Sequence, residues 1–267
     1  MTLRIEPYRL QAYNTAKDSE NKMHDDVVAK EFGFRGGLVT GVDLLAYMIH
    51  VPVAKWGRAF LERGAIDGRF LKPVYDGEML SIEADEAADA LTLRLMSRGE
   101  VCASGSASLS PAAAPIDLAA YPVSRPLATR LPVDEASYPE NAWLGAAPAV
   151  WPADAAAGYR SDVREDEQLY SREGLVHPGV IQRLMNRVLV ENAVLGPWIH
   201  VGSDMQLLAL VRVGDELTAR ARVAANYERK GHRFVELDAV VVANGERAVA
   251  HCHHIAITQP RRERAAA

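Results

Sequence analysis

Gly37-Leu38-Val39-Thr40-Gly41-Val42 leads into an apolar run through Leu44, Leu45, Tyr47 and Met48. Gly174-Leu175-Val176-His177-Pro178-Gly179-Val180 leads into another through Ile181, Leu184, Met185, Val188 and Leu189. The second copy carries one extra residue before its final glycine. Apolar residues spaced by three and four put one greasy face on a helix in each copy. A second pair of segments repeats in step with the first. Phe70-Leu71-Lys72-Pro73-Val74-Tyr75-Asp76-Gly77-Glu78-Met79-Leu80-Ser81 matches Leu207-Leu208-Ala209-Leu210-Val211-Arg212-Val213-Gly214-Asp215-Glu216-Leu217-Thr218 without a gap, and Gly77 falls on Gly214. Each copy predicts strand, tight hairpin turn, strand, because Asp76-Gly77 and Gly214-Asp215 supply the positive φ that such a turn needs.

Each half closes on alternating extended segments. Residues 91–96 and 101–109 flank Arg98-Gly99-Glu100, and residues 233–243 and 247–257 flank Asn244-Gly245-Glu246. Asn-Gly between alternating apolar runs is a strong short-range hairpin signal. Each half therefore predicts an α+β unit: a helical approach, one long apolar helix, then a meander of antiparallel strands wrapping it. Between the halves, Pro111, Pro115, Pro122, Pro126, Pro132, Pro139, Pro148 and Pro152 mark an extended crossing segment rather than a Gly/Ser linker. The expected boundaries are 1–110 for the first unit, 111–155 for the crossing segment, 156–260 for the second unit and 261–267 for a disordered tail.

Composition narrows the function classes. With 49% apolar and 24% charged residues in 267, the chain has ample material for a packed core. A net charge of −5 and no basic stripe with interleaved aromatics argue against nucleic-acid binding. No apolar run nears the ~20 residues that span a bilayer, and the first residues lack a secretory h-region, so a cytoplasmic protein without a membrane partner is expected. Cys102 and Cys252 read as small buried residues rather than a bridge. His251 and His253 share one strand face with His254 on the other, and two imidazoles without a third ligand make a polar strand face rather than a metal site. No Walker or Rossmann glycine loop and no Gly-x-Ser-x-Gly elbow is present, and no cofactor is expected.

The chemistry-bearing stretch is Asp18-Ser19-Glu20-Asn21-Lys22-Met23-His24-Asp25-Asp26, followed by Ala29, Gly33-Phe34 and the Gly36-to-Gly41 loop before the first helix. Asn21 and His24 are three apart and share a face in a helical turn. A neutral His beside an amide and a carboxylate suits general acid/base work, because His titrates near neutrality. The same residues also fit a capping cluster at a helix start.

This stretch resembles the signature of the MaoC-like, or hydratase 2, family of R-specific enoyl-CoA hydratases: Asp-x-Asn-Pro-x-His-x-Asp, then Ala, Gly-Phe and a small-residue loop ending in Gly. The resemblance implies the hotdog fold, here as a tandem pair. It also implies a lyase that adds or removes water at an acyl thioester. Carried over, His24 is the motif histidine, Asn21 the motif asparagine, and Gly41 the helix-start glycine whose amide would hold the thioester oxygen. Asp26, two after the histidine, is expected to be structural. The sequence departs at two places: Lys22 replaces the proline, and Ser19 occupies the aspartate position, with Asp18 one residue further back. Either a bulge lets Asp18 reach the site beside His24, or the Asp/His pair is broken.

Thr40, Tyr47 and His177 are further candidates to line an acyl site, with the second half as the degenerate copy. Arg229 and Lys230, in a basic turn, are candidates to meet the phosphates of a CoA or carrier arm. Two other functions fit the same residues, an acyl-CoA thioesterase and a non-catalytic acyl-binding or partner subunit. Hotdog units tend to pair through sheet edges, so a homo-oligomer is possible.

Overall fold

The computed structural model describes residues 3–111 and 115–261. The first half runs β1 (Leu3–Gln11), two short 3₁₀ turns, α1 (Gly41–Trp56), α2 (Arg58–Arg63), β2 (Gly64–Phe70), β3 (Met79–Ala87), β4 (Ala90–Ser97) and β5 (Glu100–Leu109). The crossing segment supplies β6 (Trp143–Gly145) and β7 (Ala149–Val150), and the second half follows with α3 (Ala153–Asp162), α4 (Leu169–Glu173), α5 (Gly179–Val190), β8 (Ile199–Leu207), β9 (Glu216–Arg229), β10 (His232–Ala243) and β11 (Arg247–Gln259). Most of the expected tail, from residue 262, lies outside the described residues. No helix among the described residues is long and apolar enough to cross a membrane.

Sequence explains where α1 starts and stops. Thr40 is extended and its hydroxyl accepts from the Asp43 amide, satisfying one of the orphan donors of the first turn. Gly57 ends the helix at φ 55. Between them Val42 to Met48 and Ile49, Val51, Pro52 and Val53 are all buried, so this helix is enclosed on every side rather than on one face. α5 is amphipathic and lies against α1. The two helices are tied by an ion pair to a buried carboxylate: Arg183 Nε and Nη2 reach Asp43 Oδ1 and Oδ2 at 3.1 and 3.2 Å.

All eleven strands form one sheet, in the order β1-β3-β4-β5-β2-β8-β11-β10-β9-β6, with β7 also on β9. The two halves meet where β2 runs antiparallel to β8, with Asp67 directly opposite Asp204 and the register extending from Ala65↔Gln206 to Arg69↔Gly202. Those two aspartates hold corresponding places in the repeat, so the joint lies on the pseudo-twofold axis of the duplication. Strand alternation then sorts the β11 histidines: His254 is fully buried on the inner face, while His251 pairs with Asp238 and His253 with Glu236 and Asp204 on the outer face.

Two expectations change. Gly77 and Gly214 do take positive φ, but the strands they join are not hairpin partners. β2 pairs with β5 and β8, and β3 with β1 and β4, so each turn carries the chain across the sheet. The crossing segment is also more than a strap. β6 and β7 extend the second half's sheet by pairing with β9, and α3 begins before residue 155.

Candidate active site

The motif segment folds as a turn with His24 at its end, and Asn21 caps that turn by accepting from the Met23 amide at 3.2 Å. The Asn21 side chain also spans the two halves. Its Oδ1 accepts from the Trp198 N–H at 3.1 Å and its Nδ2 donates to the Trp198 carbonyl at 3.0 Å, as a strand backbone would. The remaining amide hydrogen reaches His24 Nε2 at 3.1 Å. His24 Nδ1 lies 2.6 Å from the Leu38 carbonyl. A carbonyl only accepts, so Nδ1 carries the proton and Nε2 the lone pair. Burial lowers the His24 pKa, only partly countered by the Leu38 hydrogen bond, so the imidazole is neutral near pH 7.

His24 opens onto a cavity of about 160 Å³ walled by Phe34, Leu38, Leu44, Phe70 and Trp198 among others. Gly41 lies in the same wall, at the N-terminus of α1. Its N–H has no acceptor among the described residues and is free to meet a ligand oxygen at the positive end of the helix. A Cβ here would stand 2.9 Å from both the carbonyl oxygen and Nδ1 of His200, so only glycine lets the helix approach β8 this closely. His200, from the start of β8, completes the wall. It is buried, its Nδ1 has no partner, and burial pushes its pKa down to about 3. Sequence reading missed His200. The available signal was a lone polar residue in the apolar stretch Trp198-Ile199-His200-Val201.

The other candidates fall elsewhere. Asp18 is exposed and is not brought to His24; Ser19, at the aspartate position, reaches only the Asn21 carbonyl at 3.4 Å. Among the described residues no carboxylate lines the cavity. Asp26 accepts from the Gly37 N–H at 2.9 Å and holds the loop that carries Leu38. Thr40 is spent on capping α1. Tyr47 does not line the cavity and clamps the Tyr13 backbone, accepting from its N–H at 3.1 Å and donating to its carbonyl at 3.3 Å. The Arg229–Lys230 turn sits at the same sheet end as the start of β8 but three strands across, roughly 15 Å away at normal strand spacing.

His177 belongs to a separate buried cluster. Its Nε2 faces Glu165 Oε2 at 3.5 Å, Glu165 Oε1 lies 2.9 Å from His50 Nδ1, and Tyr159 and Tyr170 pack on the ring. Its Nδ1 accepts from the Gly179 N–H at 3.0 Å. The helix-start amide that is free at Gly41 is thus taken up at Gly179. The cavity's symmetry mate, between Leu61, Leu175, Val176, Ile181 and Leu207, measures only about 10 Å³ and is lined by apolar residues alone. The first half's cavity has polar side chains in its wall, and its much smaller mate has none.

A duplicated sheet wrapped over two central helices is the double hotdog fold. The solved structures most like it include a Chloroflexus aurantiacus J-10-fl protein named as a MaoC domain dehydratase, with TM-score 0.66, 11% identity, and 98% of this chain and 95% of that chain covered. A conserved hypothetical protein of Mycobacterium tuberculosis with a double hotdog fold matches at TM-score 0.62 and 13% identity, over 95% of this chain and 96% of that one. A Lactobacillus plantarum protein named as an oleoyl thioesterase matches at TM-score 0.50 and 10% identity, over 96% and 98%. The structural neighbours thus include proteins named as MaoC-like dehydratases and one named as a thioesterase, and what this chain shares with them is the fold. No family model and no curated protein matches the sequence.

Proposed function

We propose that the chain is a hydro-lyase that adds water to, or removes it from, an acyl thioester such as an acyl-CoA, using the cavity that His24 and Gly41 line. The observation that carries this reading is the junction of a neutral imidazole, His24, with an unpaired helix-start amide, Gly41, in one cavity. Addition of water at C3 puts negative charge on the thioester oxygen, and the Gly41 N–H at the positive end of α1 would stabilise it. His24 would take the proton released by the water at Nε2 and deliver a proton to C2. Nε2 can do so only as the Asn21 N–H contact opens, because two donors cannot face each other. Hydrolysis of the thioester fits less well, since a hotdog thioesterase activates water with a carboxylate and the cavity wall has none. That same lack favours a second reading, an acyl-binding subunit without turnover.

The test is incubation with crotonyl-CoA and longer enoyl-CoAs, following loss of the enoyl absorbance and the mass of the product. A product heavier by one water supports the lyase, and His24→Ala should then lower turnover by about 10² to 10⁴. Release of free CoA would transfer the assignment to thioesterase. Binding without any product would leave the acyl-binding reading.

A further inference from the structure

The cavity lined by His24 and Gly41 is a gap between two separate apolar clusters. Val39, Leu44 and Val74 belong to the main core, and Phe70 packs against that core. Met23 and Leu38 belong to a small satellite cluster of the motif segment, and Phe34 packs against that one. An aromatic ring thus reaches the gap from each cluster. Both rings are half-buried and both line the cavity, so a ligand there can touch them. Phe70 also stands at the reacting end. Its Cδ2 would lie 3.0 Å from a Cβ on Gly41, and its ring meets that of His200 edge-on with centroids 4.8 Å apart.

Composition alone does not supply this pairing. The whole chain has 5 phenylalanines, and two of them face this one gap. The duplicate half lacks the feature. In the gapless repeat Phe70 falls on Leu207, which lines the second half's small cavity, and among the described residues no aromatic side chain lines that cavity. Size points the same way. The first half's cavity measures about 160 Å³. A protein cavity on the order of 150 Å³ lined by Leu, Ile and Phe takes up benzene. Aromatic rings attract one another edge-to-face or offset-stacked, beyond what burial of their area contributes.

We infer that the acyl group this cavity takes ends in an aromatic ring lodged between Phe34 and Phe70: an arylpropanoyl or arylpropenoyl thioester rather than a straight alkyl one. The inference rests on the acyl-thioester reading of the cavity and names its substrate class. Exposure gives the direction. Leu71 and Lys72 are exposed at the lip, whereas Met23, Leu44 and Val74 are buried. With the thioester oxygen on the Gly41 N–H, the carrier arm leaves past Leu71 and Lys72, and the aryl ring lies inward. A ring attached at C3 stays in the plane of the C2=C3 bond and the thioester, so the whole unsaturated group is flat and suits a gap bounded by rings.

Calorimetry on the full chain with 3-phenylpropanoyl-CoA, 3-cyclohexylpropanoyl-CoA and butyryl-CoA tests this without relying on turnover. The first two share one carbon skeleton, neither has a C2=C3 bond to hydrate, and only the phenyl ring is flat. The phenyl ester should bind about tenfold tighter than the cyclohexyl ester, although its ring is the less hydrophobic of the two. Phe34→Leu and Phe70→Leu should each cut that ratio to about threefold, and the double variant should bring it near one. Equal or tighter binding of the cyclohexyl ester by the unaltered protein overturns the aromatic assignment and leaves the hydro-lyase reading standing. Binding of butyryl-CoA alone does the same, as does a phenyl preference that survives both substitutions. If the double variant does not fold, a ratio unmoved in both single variants counts against the assignment in the same way. Failure of all three esters to bind overturns the acyl-thioester reading itself, and this inference with it.

Discussion

At Asn21 one amide makes four hydrogen bonds: from the Met23 and Trp198 N–H groups, to the Trp198 carbonyl and to His24 Nε2. Both hydrogens and both lone pairs are used, so its orientation is not free. Asn21→Ala should leave the Trp198 N–H and C=O unpaired at a buried joint between the halves. The expected cost is about 3 kcal/mol, read as a fall in the urea midpoint with unchanged slope. Gly41→Ala acts differently. Its methyl group would press on the His200 carbonyl and Nδ1, at 2.9 Å each, and occupy the space in front of the free amide. Turnover should fall by about 10² or more while the denaturation midpoint moves much less; equal effects on both would mean the glycine is needed only for packing. The Asn21–His24 spacing and the helix-start glycine were legible in the sequence, because a capped turn and a helix N-terminus are local features. His200 was not, because strand pairing across the whole chain brings it to Gly41.

Turns and helices divide along the same line. Arg98-Gly99, Lys230-Gly231 and Asn244-Gly245 each take two successive positive φ values and close hairpins between paired strands. Gly77 and Gly214 each take a single positive φ with no positive-φ neighbour, and they join strands that never pair. A turn's residues set its backbone, whereas the partner of each strand is set by which apolar face must cover α1. The helices show a second non-local choice, since Asp43 and Arg183 sit in different halves and meet only after both have packed. Asp43 is wholly buried, also accepts from Thr15 Oγ1 at 2.5 Å, and sits in the first turn of α1 where negative charge is favoured. Arg183→Met should strip this carboxylate of its cation and cost about 3–5 kcal/mol in unfolding free energy. Adding Asp43→Asn should recover much of that loss, since the charge itself is then gone. If the double variant is no better than the single one, the Arg183 guanidinium over Tyr159, its Cζ 4.4 Å from the ring centroid, is what the helix pair needs.

The whole molecule is an asymmetric duplication, and its asymmetry is polar. Where the first half leaves Gly41 N–H open, the second closes Gly179 N–H with His177, and the two cavities differ as about 160 against 10 Å³. The second half then supplies buried neutral imidazoles behind the open site. His200 has its pKa pushed down to about 3 by burial, with Arg69 adding to the effect, and stacked His254 is held well below its ordinary value for the same first reason. The unfolded chain binds a proton at such a group with pKa near 6.5, while the folded chain resists doing so. Unfolded protein therefore holds more protons between those two values, and stability must fall as pH drops below about 6.5. For His200 alone the loss between pH 7.5 and pH 5 is roughly 2 kcal/mol. His200→Asn, which cannot titrate there, should show a shallower acid limb by about that amount when unfolding free energy is measured by urea at both pH values. Identical limbs would mean the folded protein accommodates the His200 cation.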